Sequence, residues 1–141
     1  LHAICPPTWD AANTRGLYDP TTGVYWGGDS FASKITHPVT NVAELDHNFW
    51  VESYLNEGRL AVGWHTLVDP DKFDAHVAQT ADLRPSVVAS AHGPVLAGEF
   101  IGEAFVLTRQ LARMEPLEQP GQPLLELMIA AIAAMPVPDA A

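Results

Sequence analysis

The sequence contains little cysteine and little positive charge. Cys5 is the only cysteine among 141 residues, so the chain can form neither an internal disulfide nor a cluster of thiolate ligands. Lys and Arg together number 7 and Asp and Glu together number 17, which gives a formal net charge of −10 with neutral histidines. Because that charge repels phosphate groups, nucleic acid and anionic membranes are not expected partners, whereas metal ions suit the sign of the charge.

The sequence also lacks a long apolar run and a signal peptide. No run approaches the roughly 20 apolar residues that span a bilayer. The first residues show no basic segment followed by an apolar one. A cytoplasmic location is therefore the default expectation. The sequence begins without Met, inside a segment with the pattern of a strand, so we expect the chain to be cut or processed at its start.

The apolar content is sufficient for one domain with a core, since 48% of the residues are hydrophobic. Three segments have the composition and flanking turns of strands: residues 1–6, a hairpin with arms at 14–18 and 24–26, and 86–91. Four segments have the apolar spacing of helices: residues 41–57, 70–84, 99–113 and 124–134. This order predicts a mixed α/β (α+β) fold with few strands.

The first of these helices has signals at both ends. Asn41 and Glu44 have the spacing of a capping box, in which the Asn side chain accepts from a backbone amide and the Glu side chain reaches back. The helix is therefore expected to begin at Asn41. Gly58 is the residue expected to end it.

The last helix, at residues 124–134, is apolar almost all round. Such a helix is expected to be buried, either in this domain or against another chain. A segment rich in Pro and Gly precedes it. We therefore divide the chain into a domain at 1–115 and, at 116–141, a linker followed by the apolar helix.

Two predicted strands end on side chains that bind metals. One runs through Trp26 and two glycines to Asp29, and the other runs to His92, which a glycine follows. A carboxylate and an imidazole at the ends of neighbouring strands are suited to a metal site on a rigid sheet edge. Taken singly, Asp29 also fits a helix cap or an Asx turn, and His92 fits a locally hydrogen-bonded histidine.

The stretches GLYDPTTGVYWGGDSFAS and VVASAHGPVLAG, in this order, resemble the C-terminal half of the metallo-β-lactamase fold. In that family a hairpin delivers an Asp that bridges two metals, and a later His-Gly-Pro delivers a histidine. The Asp-Ser-Phe run is most similar to the di-iron, oxygen-reducing flavodiiron branch. The resemblance covers about residues 8–98 and implies half of an αββα sandwich.

The resemblance assigns Asp29 as the bridging carboxylate and His92 as the terminal histidine of the second metal, and it makes both candidate catalytic residues. The family has a histidine eight residues before the aromatic of the Leu-Tyr pair, where this sequence has Asp10. Either Asp10 is a metal ligand, which shifts the preference from zinc towards iron or manganese, or the site has lost a ligand and Asp10 is a loop acid.

A second departure concerns the main metal motif of the family, His-x-His/Glu-x-Asp-His, which is absent from this sequence. A two-metal site cannot be completed without it. The missing ligands are therefore expected either from residues upstream, or from a second copy in a homo-oligomer, or from another polypeptide.

The resemblance implies a metalloprotein with a dinuclear iron or zinc site. With zinc it would be a metal-dependent hydrolase. With iron it would be an oxidoreductase that reduces oxygen or nitric oxide with electrons from an external flavin carrier. The alternative is a non-catalytic fragment or relic of the fold that acts as an interaction or dimerisation domain. A serine hydrolase is not indicated, because Ser90 lies outside any Gly-x-Ser-x-Gly elbow.

Overall fold

A computed structural model describes residues 1–118 and 121–135. In these residues the chain forms one sheet of five strands: β1 (His2–Ile4), β2 (Gly16–Asp19), β3 (Val24–Trp26), β4 (Val87–Ala89) and β5 (Leu96–Ala97). It also forms four α-helices: α1 (His47–Ala61), α2 (Pro70–Ala81), α3 (Glu99–Gln110) and α4 (Gln122–Ala133). The predicted mixed α/β class is confirmed.

The strands lie in the sheet in chain order, and only the β3–β4 pair is parallel. Successive side chains of a strand point to opposite faces. Tyr25 and its partner Val88 are fully buried in the core beneath the helices. Leu17 and its partner Trp26 are partly exposed. Among the described residues, one face of the sheet is therefore covered by helices and the other is open.

The hairpin predicted around residues 14–26 is confirmed, and its turn has a clear chemical cause. The Asp19 carboxylate accepts hydrogen bonds from the Thr21 amide (2.9 Å) and the Thr22 hydroxyl (2.8 Å). These bonds lower the pKa of Asp19. Gly23 closes the turn with φ of 72°, a conformation that favours glycine.

Gly16 in β2 is expected to tolerate no side chain. A Cβ there would lie 2.9 Å from the Trp26 carbonyl oxygen and would also meet the Tyr25 side chain. Gly16→Ala should therefore lower the free energy of unfolding by about 1–3 kcal/mol, measured by urea denaturation. Gly102→Ala in α3, where a Cβ meets nothing within 4 Å, should raise it by about 0.5–1 kcal/mol. If both substitutions changed the free energy of unfolding in the same direction, this explanation would be contradicted.

The prediction for the start of the first helix is wrong. The capping box of Asn41 and Glu44 forms, but it caps a 3₁₀ turn at Val42–Glu44. Helix α1 begins at His47, and its N-cap is Asp46, whose carboxylate accepts from the Phe49 amide at 2.9 Å.

The predicted end of this helix is also wrong, because α1 continues past Gly58 to Ala61. A Cβ at Gly58 would lie 2.9 Å from the methyl groups of Leu111. The glycine therefore serves close packing within the helix rather than its termination.

Helices α1, α2 and α3 each bury one face in a core that they share with the sheet, and α3 packs against β5 and both other helices. The predicted apolar faces of α2 and α3 are confirmed at Phe73, Val77, Ile101 and Phe105. In α1 the fully buried residue is Trp50. Trp50 contacts Tyr54 with ring centroids 5.8 Å apart. The predicted strand at 86–91 forms as β4, whereas the short β5 was not predicted.

Helix α4 forms close to its predicted position, but every one of its residues is exposed. It is therefore not buried in this domain. Residues 119–120 of the predicted linker and 136–141 of the tail lie outside the described residues. Among the described helices, none has the length and apolar character needed to cross a membrane.

Candidate metal centre

The loop after β3 presents Asp29 at the edge of the sheet. The Gly27 amide donates to the Ala89 carbonyl at 2.8 Å, which extends the β3–β4 pairing beyond the end of β3. Gly28 then turns the chain with φ of 62°. Asp29 follows directly and is partly exposed, with 43% of its side chain accessible.

Phe31 anchors this loop in the core. It adopts φ of 67°, which is uncommon for a residue other than glycine and costs roughly 1 kcal/mol or more. Its ring is buried and makes edge contacts with Tyr25 (6.2 Å) and Phe105 (5.4 Å). A Cβ at Gly27 would lie 2.9 Å from this ring, so the absence of a side chain at residue 27 leaves room for the ring. The glycines and the aromatic residue together determine where Asp29 lies.

The loop after β4 presents His92 beside Asp29. The Ala91 amide (2.7 Å) and the Ser90 hydroxyl (3.2 Å) both donate to the Gly28 carbonyl. The Ser33 amide donates to the His92 carbonyl at 2.9 Å. These bonds fix the two loops to each other. The Ser90 hydroxyl therefore helps to hold the two loops together.

Asp29 and His92 meet at the edge of the sheet. The His92 Nε2 atom lies 3.2 Å from Asp29 Oδ1, and 71% of the His92 side chain is accessible. A carboxylate has two oxygens that can bridge two cations, and imidazole is a common ligand of transition metals. The structure therefore brings together the two residues that the sequence singled out at its strand ends.

Asp10 lies in the same cleft, which has a volume of about 310 Å³ and is lined by Asp10, Asp29 and His92 together with Trp9, Glu57 and others. Its carboxylate accepts a hydrogen bond from the Thr14 hydroxyl at 3.2 Å. The segment before Asp10 is tied to the Asp29 loop, because Thr8 and Ser30 exchange three hydrogen bonds of 2.8–3.0 Å.

The donor set fits part of a metal centre. Asp29 and His92 offer two adjacent ligands of the types that bind transition metals. Within residues 1–118 and 121–135, however, no three His, Cys, Asp or Glu side chains lie close enough together to hold an ion. A complete centre therefore needs ligands from beyond these residues or a rearrangement of Asp10.

Other histidines lie away from the cleft. His47 contacts Glu103 on the surface at 2.9 Å, so neither it nor the buried Trp50 lines the metal cleft. His65 is fully buried, and its Nδ1 donates to the Leu111 carbonyl at 2.7 Å. His76 Nε2 donates to the Pro6 carbonyl at 2.9 Å. Each of these three histidines therefore has a protein partner away from the cleft.

Sequence reasoning missed Glu57, which lines the cleft from α1. A signal was present, since Glu57 follows Trp50 by seven residues and Tyr54 by three and therefore belongs to the buried face of the helix. A carboxylate on a buried helix face requires a partner or a function.

The solved structures that are similar to this chain include the following three. A flavodiiron protein from Giardia intestinalis matches 79% of the chain with a TM-score of 0.62 and 16% identity. Rubredoxin oxygen:oxidoreductase from Desulfovibrio gigas matches 74% with a TM-score of 0.60 and 14% identity. A peroxy di-iron species of the chemotaxis sensor ODP matches 89% with a TM-score of 0.51 and 18% identity. No family model and no curated protein matches the sequence.

These similarities establish the fold, which is half of a metallo-β-lactamase-like fold as it occurs in flavodiiron proteins. The family resemblance noted in the sequence is thereby confirmed at the level of fold. The chain spans 26% of each of the first two structures and 48% of the ODP sensor. At 14–18% identity the similarity carries the fold alone.

Proposed function

We propose that the chain is the part of a di-iron oxidoreductase that supplies Asp29 as the bridging carboxylate and His92 as a terminal imidazole. The observation that carries the proposal is the 3.2 Å contact between these side chains at the ends of two paired strands. The names of the structural neighbours, which are a flavodiiron protein, an oxygen:oxidoreductase and a di-iron sensor, support iron as the metal.

In this proposal the chain's own residues bind and orient. The Gly28 turn and the Phe31 anchor hold the Asp29 carboxylate at the cleft, and the Ser33 amide fixes the His92 backbone. A bound iron pair would supply the binding and reduction of oxygen or nitric oxide, with electrons from an external flavin carrier. The hydrogen bonds between the two loops fix the backbone that carries both side chains, which reduces the cost of ordering them around an ion.

Asp10 is included in the proposed ligand set because it lines the same cleft. Its hydrogen bond with Thr14 occupies one of its two carboxylate oxygens. A set of two carboxylates and one imidazole is rich in oxygen, which suits iron or manganese better than a zinc site rich in nitrogen or sulfur. The hydrolase alternative receives no support from the structural neighbours.

The remaining ligands are proposed to come from residues outside this sequence, either upstream in the same polypeptide, or in a second copy of the chain, or in another polypeptide. Two observations support this. The chain spans only a quarter to a half of its structural neighbours. In addition, the described residues do not form a group of three ligands.

The alternative function, an interaction domain without catalysis, is favoured by one observation. Helix α4 exposes Leu125, Ile129 and Ile132, which lie on one face, and other apolar residues around it. An exposed apolar surface of this kind marks an interaction site. A second copy of the chain is the proposed partner in that case.

Metal analysis of the purified chain separates the two functions. In an anaerobic equilibrium titration with Fe(II), we expect the wild-type chain to bind about one iron per chain, with Asp10 rearranging in the shared cleft to join Asp29 and His92. Asp29→Ala should bind almost none. Iron below one equivalent in the wild type, unchanged by Asp29→Ala, would contradict the metal proposal and leave the interaction domain.

A further inference from the structure

A small chamber lies beside the metal cleft. It has a volume of about 20 Å³, and its lining includes Asp29 and Glu57 as well as Tyr54 and Thr108. A water molecule requires roughly 10–15 Å³ of such volume and two to four polar partners. The chamber is therefore large enough for one water, and two of its walls are carboxylates.

Glu57 has an oxygen that lacks a hydrogen-bond donor. Its Oε1 atom is shielded from solvent and accepts no hydrogen bond from the described residues. The Lys34 ammonium lies 3.1 Å from it, but outside hydrogen-bonding geometry, and Lys34 itself is largely exposed. A shielded carboxylate oxygen without a donor is unfavourable. A water in the chamber would supply the donor.

The hydroxyl groups of Tyr54 and Thr108, which also line the chamber, already form hydrogen bonds with protein atoms. The hydrogens of the water therefore remain available to the carboxylates. The Tyr54 and Thr108 hydroxyls are hydrogen-bonded to each other at 2.7 Å, and the Ala104 carbonyl can accept from either of them, at 3.2 Å and 2.8 Å, so both hydroxyl protons are used within this group. Burial raises the pKa of the Tyr54 phenol, which therefore keeps its proton. The two hydrogens of a water are then available to Glu57 and Asp29, which both accept.

We propose that Glu57 is a positioning residue that orients the Asp29 carboxylate through a water held in this chamber and that its negative charge strengthens cation binding in the cleft. This inference rests on the proposed metal site. Glu57 acts through Asp29 rather than as a ligand, because its Oε1 atom is shielded from solvent and lies 3.1 Å from the Lys34 ammonium. Lys34 opposes the effect because it partly neutralises Glu57.

The test is a titration of the full chain with Co(II), followed by the visible absorption of the bound ion. Glu57→Gln should weaken Co(II) binding about tenfold, the lower end of the range for residues that orient a metal ligand, and should shift the absorption bands. Glu52→Gln is the matched control, because Glu52 lies on the same helix but is exposed and outside this cleft. It should leave both readouts unchanged.

Lys34→Gln provides a test with the opposite sign. Removing the ammonium leaves Glu57 with its full charge, so Co(II) should bind more tightly. The expected change is only roughly twofold, because the Lys34 charge is largely exposed to solvent. If Glu57 had only a structural role, Lys34→Gln would not strengthen Co(II) binding. Weaker binding in Lys34→Gln would overturn the electrostatic part of the inference.

The remaining outcomes distinguish this inference from the function on which it rests. If Asp29→Ala abolishes Co(II) binding but Glu57→Gln matches Glu52→Gln, the role of Glu57 is overturned and the metal site stands. If Asp29→Ala leaves Co(II) binding intact, both are overturned. A high-resolution crystal structure should show an ordered water within hydrogen-bonding distance of Glu57 and Asp29, and an empty chamber would overturn the water-mediated contact.

Discussion

Replacing Asp29 with Asn, or His92 with Gln, is expected to lower the affinity of the chain for Fe(II) by more than about 100-fold. Changes to groups that only orient a ligand already cost about 10–100-fold, so the loss of a ligand should exceed that range. Asn keeps the shape of Asp but loses the charge and the ability to bridge two cations. Equilibrium competition with a coloured Fe(II) chelator under anaerobic conditions measures the change.

The chain contains a matched control for this experiment. His47 and Glu103 form a second surface pair of imidazole and carboxylate, with a contact of 2.9 Å against 3.2 Å for His92 and Asp29. His47→Gln and Glu103→Gln should change the Fe(II) affinity by less than about twofold, since both side chains lie outside the cleft that Asp29 and His92 line. Equal losses from both pairs would show that iron binds acidic surface in general, and the site assignment would be wrong.

His65 is unsuitable as a control because it is buried, and its position in the sequence does not indicate this burial. Its ring is fully buried, and its bond to the Leu111 carbonyl joins the turn after α1 to the end of α3. His65→Ala would leave a cavity and an unsatisfied carbonyl, so any loss of metal would follow from lost structure. Surface accessibility, which the sequence does not reveal, makes His47 the informative comparison.

The parts of the fold that the sequence predicted are those governed by local chemistry. The Asp19 turn, the two glycines before Asp29 and the glycine after His92 each require a residue type at one position, so the sequence pattern points directly to them. The strand ends and the pairing of Asp29 with His92 follow from that pattern. The family resemblance added the roles of the two residues, which remain predictions.

The wrong predictions for the two ends of α1 arose where two local signals compete or where tertiary packing determines the structure. Asn41 and Asp46 are both good N-caps, and the structure uses the first for a 3₁₀ turn and the second for α1. Gly58 has the type of a helix terminator, yet Leu111, distant in sequence, requires a glycine within the helix. The helical spacing places Glu57 on the buried face of α1, but it does not reveal that this face lies beside the Asp29 loop.

Phe31→Ala is expected to produce the largest loss of stability among the residues near the cleft. Removing a buried phenylalanine ring costs about 3–5 kcal/mol, and the contacts with Tyr25 and Phe105 are lost with it. The Asp29 loop would lose its anchor, so Fe(II) affinity should fall as well. Urea denaturation and the chelator competition measure the two effects.

The backbone conformation of Phe31 allows a sharper comparison. At most positions glycine is less stabilising than alanine, but at φ of 67° alanine retains the strain and glycine relieves it. Phe31→Gly should therefore be more stable than Phe31→Ala by roughly 1 kcal/mol. The reverse order would show that the loop does not hold this conformation in solution.

Phe100→Ala separates loss of packing from loss of the site. Phe100 is a partly buried aromatic residue of α3 that contacts Trp50 at 5.4 Å, away from the Asp29 loop. Its removal should destabilise the domain and leave Fe(II) affinity unchanged under conditions where the chain remains folded. Because Phe31→Ala should lower both quantities, an equal fall in affinity for the two variants would mean that metal binding follows overall stability and not the position of Asp29.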